Sequence, residues 1–357
     1  MKNGQRLLYI LAVISLAAYL SARFLAVDRP AGELAAQMRR AAETMARAGA
    51  ALVECRTERG LPVDLRLDPN RTGLIGLESS PLTTSLGNLE AKRTTTNPDF
   101  AALIVRLLRE AGVRRGDAVA VGASSSFPAL IVASLCAAEA LEARPLLICS
   151  LGSSQFGAND PEFHWLDMMD CLNDSGILAV RPLAVSVGGD DDSGRDMDPG
   201  LRAGLLSRIA LRDALFLEEP SLEKNVAARL ALFEQAAGRG GVKAFINIGG
   251  SWANMGTDPR VLEIKPGLAR TASLPPRERR GVLFEMAAQG VPVIHLLFIK
   301  GLAEANGLAW DPKPLPPPGA SPLYDRPRRG GIGLLAVGLG YLFFIGLAAA
   351  LYSKRHS

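Results

Sequence analysis

Cysteine is scarce, four in 357 residues, and no C-x-x-C pair or zinc-ligand spacing occurs, so a disulfide-dense miniprotein and a zinc module are excluded. No G-x-G-x-x-G, Walker P-loop or G-x-S-x-G string is present, which removes the signatures of dinucleotide, nucleoside triphosphate and esterase chemistry. The body also lacks a basic run and any zinc-finger or RNP-type motif, so nothing points to nucleic acid. What the chain does have is 48% apolar residues, enough to bury a core and too many for a disordered tail.

The formal charge of +4 is unevenly placed. Residues 1–29 and 326–357 carry nine basic residues and one acid, which leaves residues 30–325 with 31 basic and 35 acidic, a net −4. The positive excess therefore belongs to two apolar ends. Leu7 to Ala22 is uncharged between Arg6 and Arg23, and Gly330 to Ser353 runs 24 residues without a charge. Both are read as membrane spans, the first as an uncleaved signal anchor because no small-x-small cleavage site follows it. Lys2 and Arg6 ahead of the first span favour both termini inside and the body outside. Disulfides are permitted there, with buried thiols as the default for Cys55, Cys136, Cys149 and Cys171.

Between the ends, Asp28 and Pro30 read as a cap and an early-turn proline of a helix over 30–59. Leu34, Met38, Ala41, Met45, Ala48, Leu52 and Cys55 recur at spacings of three and four, an amphipathic stalk that docks on the chain's own body. Residues 60–97 lose that period and read as an irregular polar segment, in which Lys92 and Arg93 among several hydroxyls form a candidate anion-holding wall. From Pro98 the grammar alternates. Helices are expected at 98–111, 127–141, 161–172, 199–217, 221–237 and 277–289, and strands at 118–121, 146–149, 177–180, 242–248 and 291–298. The expected fold is an α/β domain over 98–311 with a doubly wound, mostly parallel sheet, followed by a Pro-rich extended spacer over 312–329 and the second span over 330–353.

In such sheets ligands gather beyond the carboxyl ends of strands, where the next helix offers free backbone N–H groups. Four segments qualify. Gly122 to Pro128 contains Ser124 and Ser126, the latter also readable as a helix cap; Ser150 to Pro161 contains Ser153, Ser154, Asn159 and Asp160, and leads into His164. Asn247 to Gly256 contains Asn247 and Ser251, with Trp252 placed to cover a ligand. The acidic loop 188–198 sets Asp190, Asp192 and Asp196 as ligands for a divalent cation, although an EF-hand register fails; no other cofactor is indicated. His164 near several carboxylates suits proton transfer, His295 suits the core, and a Ser/His/acid triad can be drawn from Ser124 or Ser251, either histidine and Asp190.

The string Leu82-Thr83-Thr84-Ser85-Leu86-Gly87-Asn88-Leu89-Glu90-Ala91-Lys92-Arg93-Thr94-Thr95-Thr96-Asn97-Pro98, with Ser126-Phe127-Pro128, Gly157-Ala158-Asn159-Asp160-Pro161 and Trp165-Leu166-Asp167-Met168, resembles the poly-γ-glutamate system protein family. The likeness spans most of the chain and both terminal segments. It implies an accessory protein anchored in a bacterial cell membrane that partners the synthase membrane components, and through its α/β domain the anionic polymer itself. It supplies no catalytic residues. An extracytoplasmic amidohydrolase or transferase, using a serine or an Asp-bound metal, is the alternative expectation, and a scaffold whose spans alone matter is a third.

Overall fold

The structure is a computed structural model that describes residues 3–28, 32–212, 214–219, 221–269, 273–324, 326–327 and 332–353. It divides into two compact units, a terminal one (Met1–Gly32 with Tyr324–Ser357) and the body (Glu33–Leu323).

In the terminal unit, helices Asn3–Ala26 and Ile332–Ser353 pack together, Ser15 and Tyr341 share a hydroxyl hydrogen bond of 2.9 Å, and Val27–Asp28 pairs antiparallel with Arg326–Pro327. Among the described residues no helix is long and apolar enough to cross a membrane. Arg6 and Arg23 leave only 16 uncharged residues between them in the first. This overturns the expected two-span placement in a bacterial cell membrane with the body outside. Lys2 and Pro30, which served that reading and the expected helix start, lie outside the described residues.

The body is a mixed α/β structure around a mostly parallel sheet. Its seven strands are β1 (Ala118–Ser124), β2 (Arg144–Ser150), β3 (Ala184–Ser186), β4 (Leu215–Phe216), β5 (Val242–Ile248), β6 (Gly267–Ala269) and β7 (Val293–Leu296). They lie in the order β6-β7-β5-β1-β2-β3-β4, with β6 alone antiparallel to its neighbour. β1 is buried at every position, which is why its sequence reads as an unbroken apolar and small-residue run. On one face Ala118, Ala120, Leu146, Ile148 and Phe245 meet the helices over Leu222–Ala237 and Val282–Ala288, where Phe233 sets its ring edge-on to Phe245 at 6.1 Å.

A second helical group comprises α1 (Glu33–Glu58), α2 (Leu89–Thr95), α3 (Asp99–Glu110), α4 (Pro128–Ala140) and α5 (Trp165–Asp174). The stripe Met38, Ala41, Met45, Ala48 and Leu52 of α1 is fully buried, and α1 packs on α3 and α4 as the periodicity predicts. A disulfide joins Cys55 of α1 to Cys171 of α5 across 116 residues, which in the chain-entropy view stabilises by roughly 5 kcal/mol. Two of the four cysteines are therefore bonded; Cys136 and Cys149 are buried thiols, and burial holds the Cys149 thiol up at about 12.

Several boundaries move. Residues 177–180 are not a strand: the Asn173 side-chain amide clamps both Val180 backbone groups (2.8 and 3.1 Å) in place of a neighbouring strand, and β3 begins at Ala184. The expected helix 199–217 ends at Ala210, and the chain straightens into β4. The segment 60–97 is ordered, with Thr83–Ser85 paired in parallel to Ser153–Ser154 and α2 following. The Pro-rich stretch is no free spacer: the Asp99 carboxylate accepts Gly319 N–H at 2.8 Å and the Ser321 hydroxyl at 2.6 Å, and the Asn70 amide donates to Pro312 O.

Candidate functional site

The order of strands reverses at β1, because the chain steps outward through β2, β3 and β4 and then returns to lay β5 on the other side of β1. The loops leaving β1 and β5 therefore part in opposite directions and open a crevice at their carboxyl ends. A cavity of about 270 Å³ occupies that crevice. Ser124 lines it from the last position of β1, Ser126 from the loop that follows, Ser154 from the loop after β2, Asp190 and Asp192 from the loop after β3, and Ser251 with the half-exposed Trp252 from the loop after β5.

Ser124 is 5% exposed, and its buried hydroxyl has no hydrogen-bond partner. Gly249, at φ +78°, packs directly against it, and a Cβ at that position would stand 2.6 Å from Ser124 Oγ. The neighbouring serines are committed: Ser125 Oγ donates to Ser150 O at 2.7 Å, and Ser126 Oγ accepts from Ser154 N–H at 3.0 Å, so Ser126 ties two loops together and does not cap α4. Pro128, first in α4, takes the place of a cap because its missing N–H needs no partner.

Behind these serines lies Lys92. The turn that starts α2 is capped by Asn88, which accepts Ala91 N–H at 2.7 Å, and α2 then carries Lys92 inward. Its ammonium is 2% exposed, hydrogen-bonded to Ser126 O and to Ser154 Oγ (2.7 Å), and 3.7 Å from the centre of the Phe127 ring. No carboxylate among the described residues pairs with it, and burial pulls its pKa down to about 7. Arg93, the other half of the expected anion wall, is taken: Asp311 grips it through two contacts of 2.6 Å, which holds the Asp311 carboxyl below its usual range.

Asp190, Asp192 and Asp196 do not converge on a cation site, and among the described residues no cluster of three ligating side chains exists. The reason is Arg229. Fully buried on the Leu222–Ala237 helix, it donates to Asp192 Oδ2 at 2.5 Å, while Ser150 and Ser186 hydroxyls (2.8 Å each) and the Asn225 amide (3.1 Å) fill the rest of that carboxylate. Asp196 accepts Asp190 N–H at 2.9 Å and Asp190 stands exposed at the rim. Arg229 was missed in the sequence although its signal was present: it shares one helix face with Val226 and Phe233, an arginine on an apolar stripe.

The remaining candidates are structural. Ser153 Oγ donates to Ser125 O, Asn159 spans Leu77 N–H, Leu77 O and Thr83 Oγ1, and Asp160 pairs with Arg56 at 3.2 Å. Asn247 donates to Gly249 O at 3.1 Å and sits 3.0 Å from His295 Nδ1, beneath the loop that frames the cavity. His164 caps α5 by accepting Leu166 N–H, and burial with nearby Arg208 pulls its pKa to about 4, so it is neutral and unsuited to the expected proton transfer. Among the described residues no Ser/His/acid triad forms: neither His164 nor His295 hydrogen-bonds a cavity serine. Compared with known proteins, the chain matches no family model, no curated protein and no solved structure.

Proposed function

We propose that the chain is an accessory binding protein of a poly-γ-glutamate synthesis and export system, and that the crevice between the β1 and β5 loops holds one unit of the polymer or of its end. The unpartnered Ser124 hydroxyl carries this reading. A buried donor left without a partner costs about 1–3 kcal/mol, a cost that an incoming carboxylate or amide oxygen removes. The choice of polymer comes from the family resemblance of residues 82–98, 126–128, 157–161 and 165–168, with the synthase components as partners.

Electrostatics favour an anion with an amide beside it. Asp192 faces the cavity yet is neutralised by Arg229, Lys92 places positive charge just behind Ser126 and Ser154, and the exposed Asp190 suits an amide N–H. A γ-linked glutamyl unit has both groups. The doubly wound winding of the sheet belongs to this proposal too, since it is what puts the ligand at the reversal of strand order.

Because an anion favours the charged lysine, affinity should fall as pH rises through about 7, and binding near that pH should take up protons. Calorimetric titration of the full chain with a γ-linked glutamate oligomer near pH 6 is expected to show saturable binding, weakened about tenfold by Ser124→Ala. Absence of saturation at millimolar oligomer, or affinity indifferent to both pH and Ser124, removes the proposal.

A further inference from the structure

We propose that Ser154 and Lys92 are a nucleophile and its general base, and that the cavity performs acyl transfer on an amide or ester rather than capture alone. Ser154 lines the cavity whereas Lys92 does not, so the lysine amine reaches the cavity only through the Ser154 hydroxyl, 2.7 Å away. The two other groups at the amine, the Ser126 carbonyl and the Phe127 ring, accept and cannot donate. A neutral amine fits this setting: one N–H goes to Ser126 O, and the lone pair faces the one neighbour that has a proton to give. A permanent ammonium here would be sealed from water with no carboxylate partner, a costly arrangement for a merely structural lysine. The serine is fixed as well, by its strand pairing to Thr83–Ser85 and by its N–H bond to Ser126 Oγ.

The step balances with water alone. Lys92 Nζ takes the Ser154 hydroxyl proton as Oγ bonds to the acyl carbon. The carbon–nitrogen or carbon–oxygen bond of the substrate then breaks, and the leaving group departs with the proton from Lys92. Water next attacks the acyl-serine, giving its proton to Lys92; the carbon–Oγ bond breaks, and the proton returns to Ser154 as the carboxylic acid leaves. The unpartnered Ser124 hydroxyl in the same cavity is the donor available to an oxygen that gains charge. Depression of the Lys92 pKa to about 7 supports the role, because half the amine is then neutral near that pH.

The test is independent of polymer binding. The full chain is treated with a fluorophosphonate, which forms a phosphorus–oxygen bond to an activated serine and expels fluoride, and adducts are located by peptide mass mapping. A single adduct on Ser154 is expected, its rate rising with pH through about 7, the opposite direction to polymer affinity. Lys92→Met, shown folded by an unchanged circular dichroism spectrum, should label at least about 100-fold more slowly. Should that variant fail to fold, the wild-type pH profile and adduct position decide. No adduct, an adduct on another serine, a rate flat between about pH 6 and 8, or wild-type labelling of folded Lys92→Met overturns the proposal, and leaves ligand capture standing if the oligomer still binds.

Discussion

Lowering the pH from about 7 to about 5 is expected to remove about 4 kcal/mol of folding stability, about 2 kcal/mol through each of His164 and His295. Both imidazoles are buried, and burial pulls each pKa from 6.5 to about 4, with Arg208 adding to the effect at His164. The sign follows from which state takes the proton. Above about 6.5 both states are neutral and nothing is gained or lost. Between 6.5 and 4 the unfolded chain protonates while the folded chain does not, so stability falls as pH falls. Urea unfolding of the full chain at the two pH values measures the difference, in a window where most carboxylates stay ionised. His164→Asn, which keeps an N-cap acceptor on α5 but cannot titrate, should halve the loss. Equal stability at both pH values would show that these histidines are not held neutral. Lys92 works in another window: with its pKa lowered from 10.5 to about 7, stability should rise as pH climbs between those values.

Asp192→Ala is expected to destabilise the chain by about 4 kcal/mol, because it strands a buried guanidinium. Arg229 is fully buried and meets no second carboxylate among the described residues; its other partners are the Asn225 oxygen at 2.7 Å and the hydroxyls of Ser186 and Ser150. Those groups cannot offset a full charge in the interior. The damage should come from the stranded charge and not from the lost contact, so adding Arg229→Met to Asp192→Ala should recover most of the stability. Thermal and denaturant unfolding of the single and double variants decide: a double variant less stable than Asp192→Ala alone contradicts this account. The pair also has a functional consequence, since it cancels the charge of an acid that lines the cavity and would otherwise repel an anion.

Periodicity carried most of the fold. The helices over Asp99–Glu110, Pro128–Ala140 and Leu222–Ala237 and the strand Val242–Ile248 were legible because amphipathic stripes and apolar runs were bounded by Gly, Pro and Ser. What failed depended on distant partners. Ile177 to Val180 has the letters of a strand, but strand pairing needs a neighbour, and Asn173 supplies a local substitute. Residues 60–97 had no period because their order comes from loops elsewhere: Asn159 fixes Leu77, and Ser153–Ser154 pair with Thr83–Ser85. At the site, the rule that ligands gather beyond strand ends singled out Ser124, Ser126, Ser154 and Ser251, and these four line one cavity. It could not separate Lys92, turned inward without a carboxylate, from Arg93 beside it in sequence and bound to Asp311, nor tell that Asp192 answers to Arg229. Such pairings join residues far apart in the chain and leave no mark on spacing.

A crystal structure of the full chain grown with a γ-linked glutamate trimer tests the placement of ligand most directly. It should show a carboxylate or amide oxygen of the trimer within hydrogen-bond reach of Ser124 Oγ, between the loops that follow β1 and β5. Trimer bound on another surface at saturating concentration, with the Ser124 hydroxyl still without a partner, would contradict it.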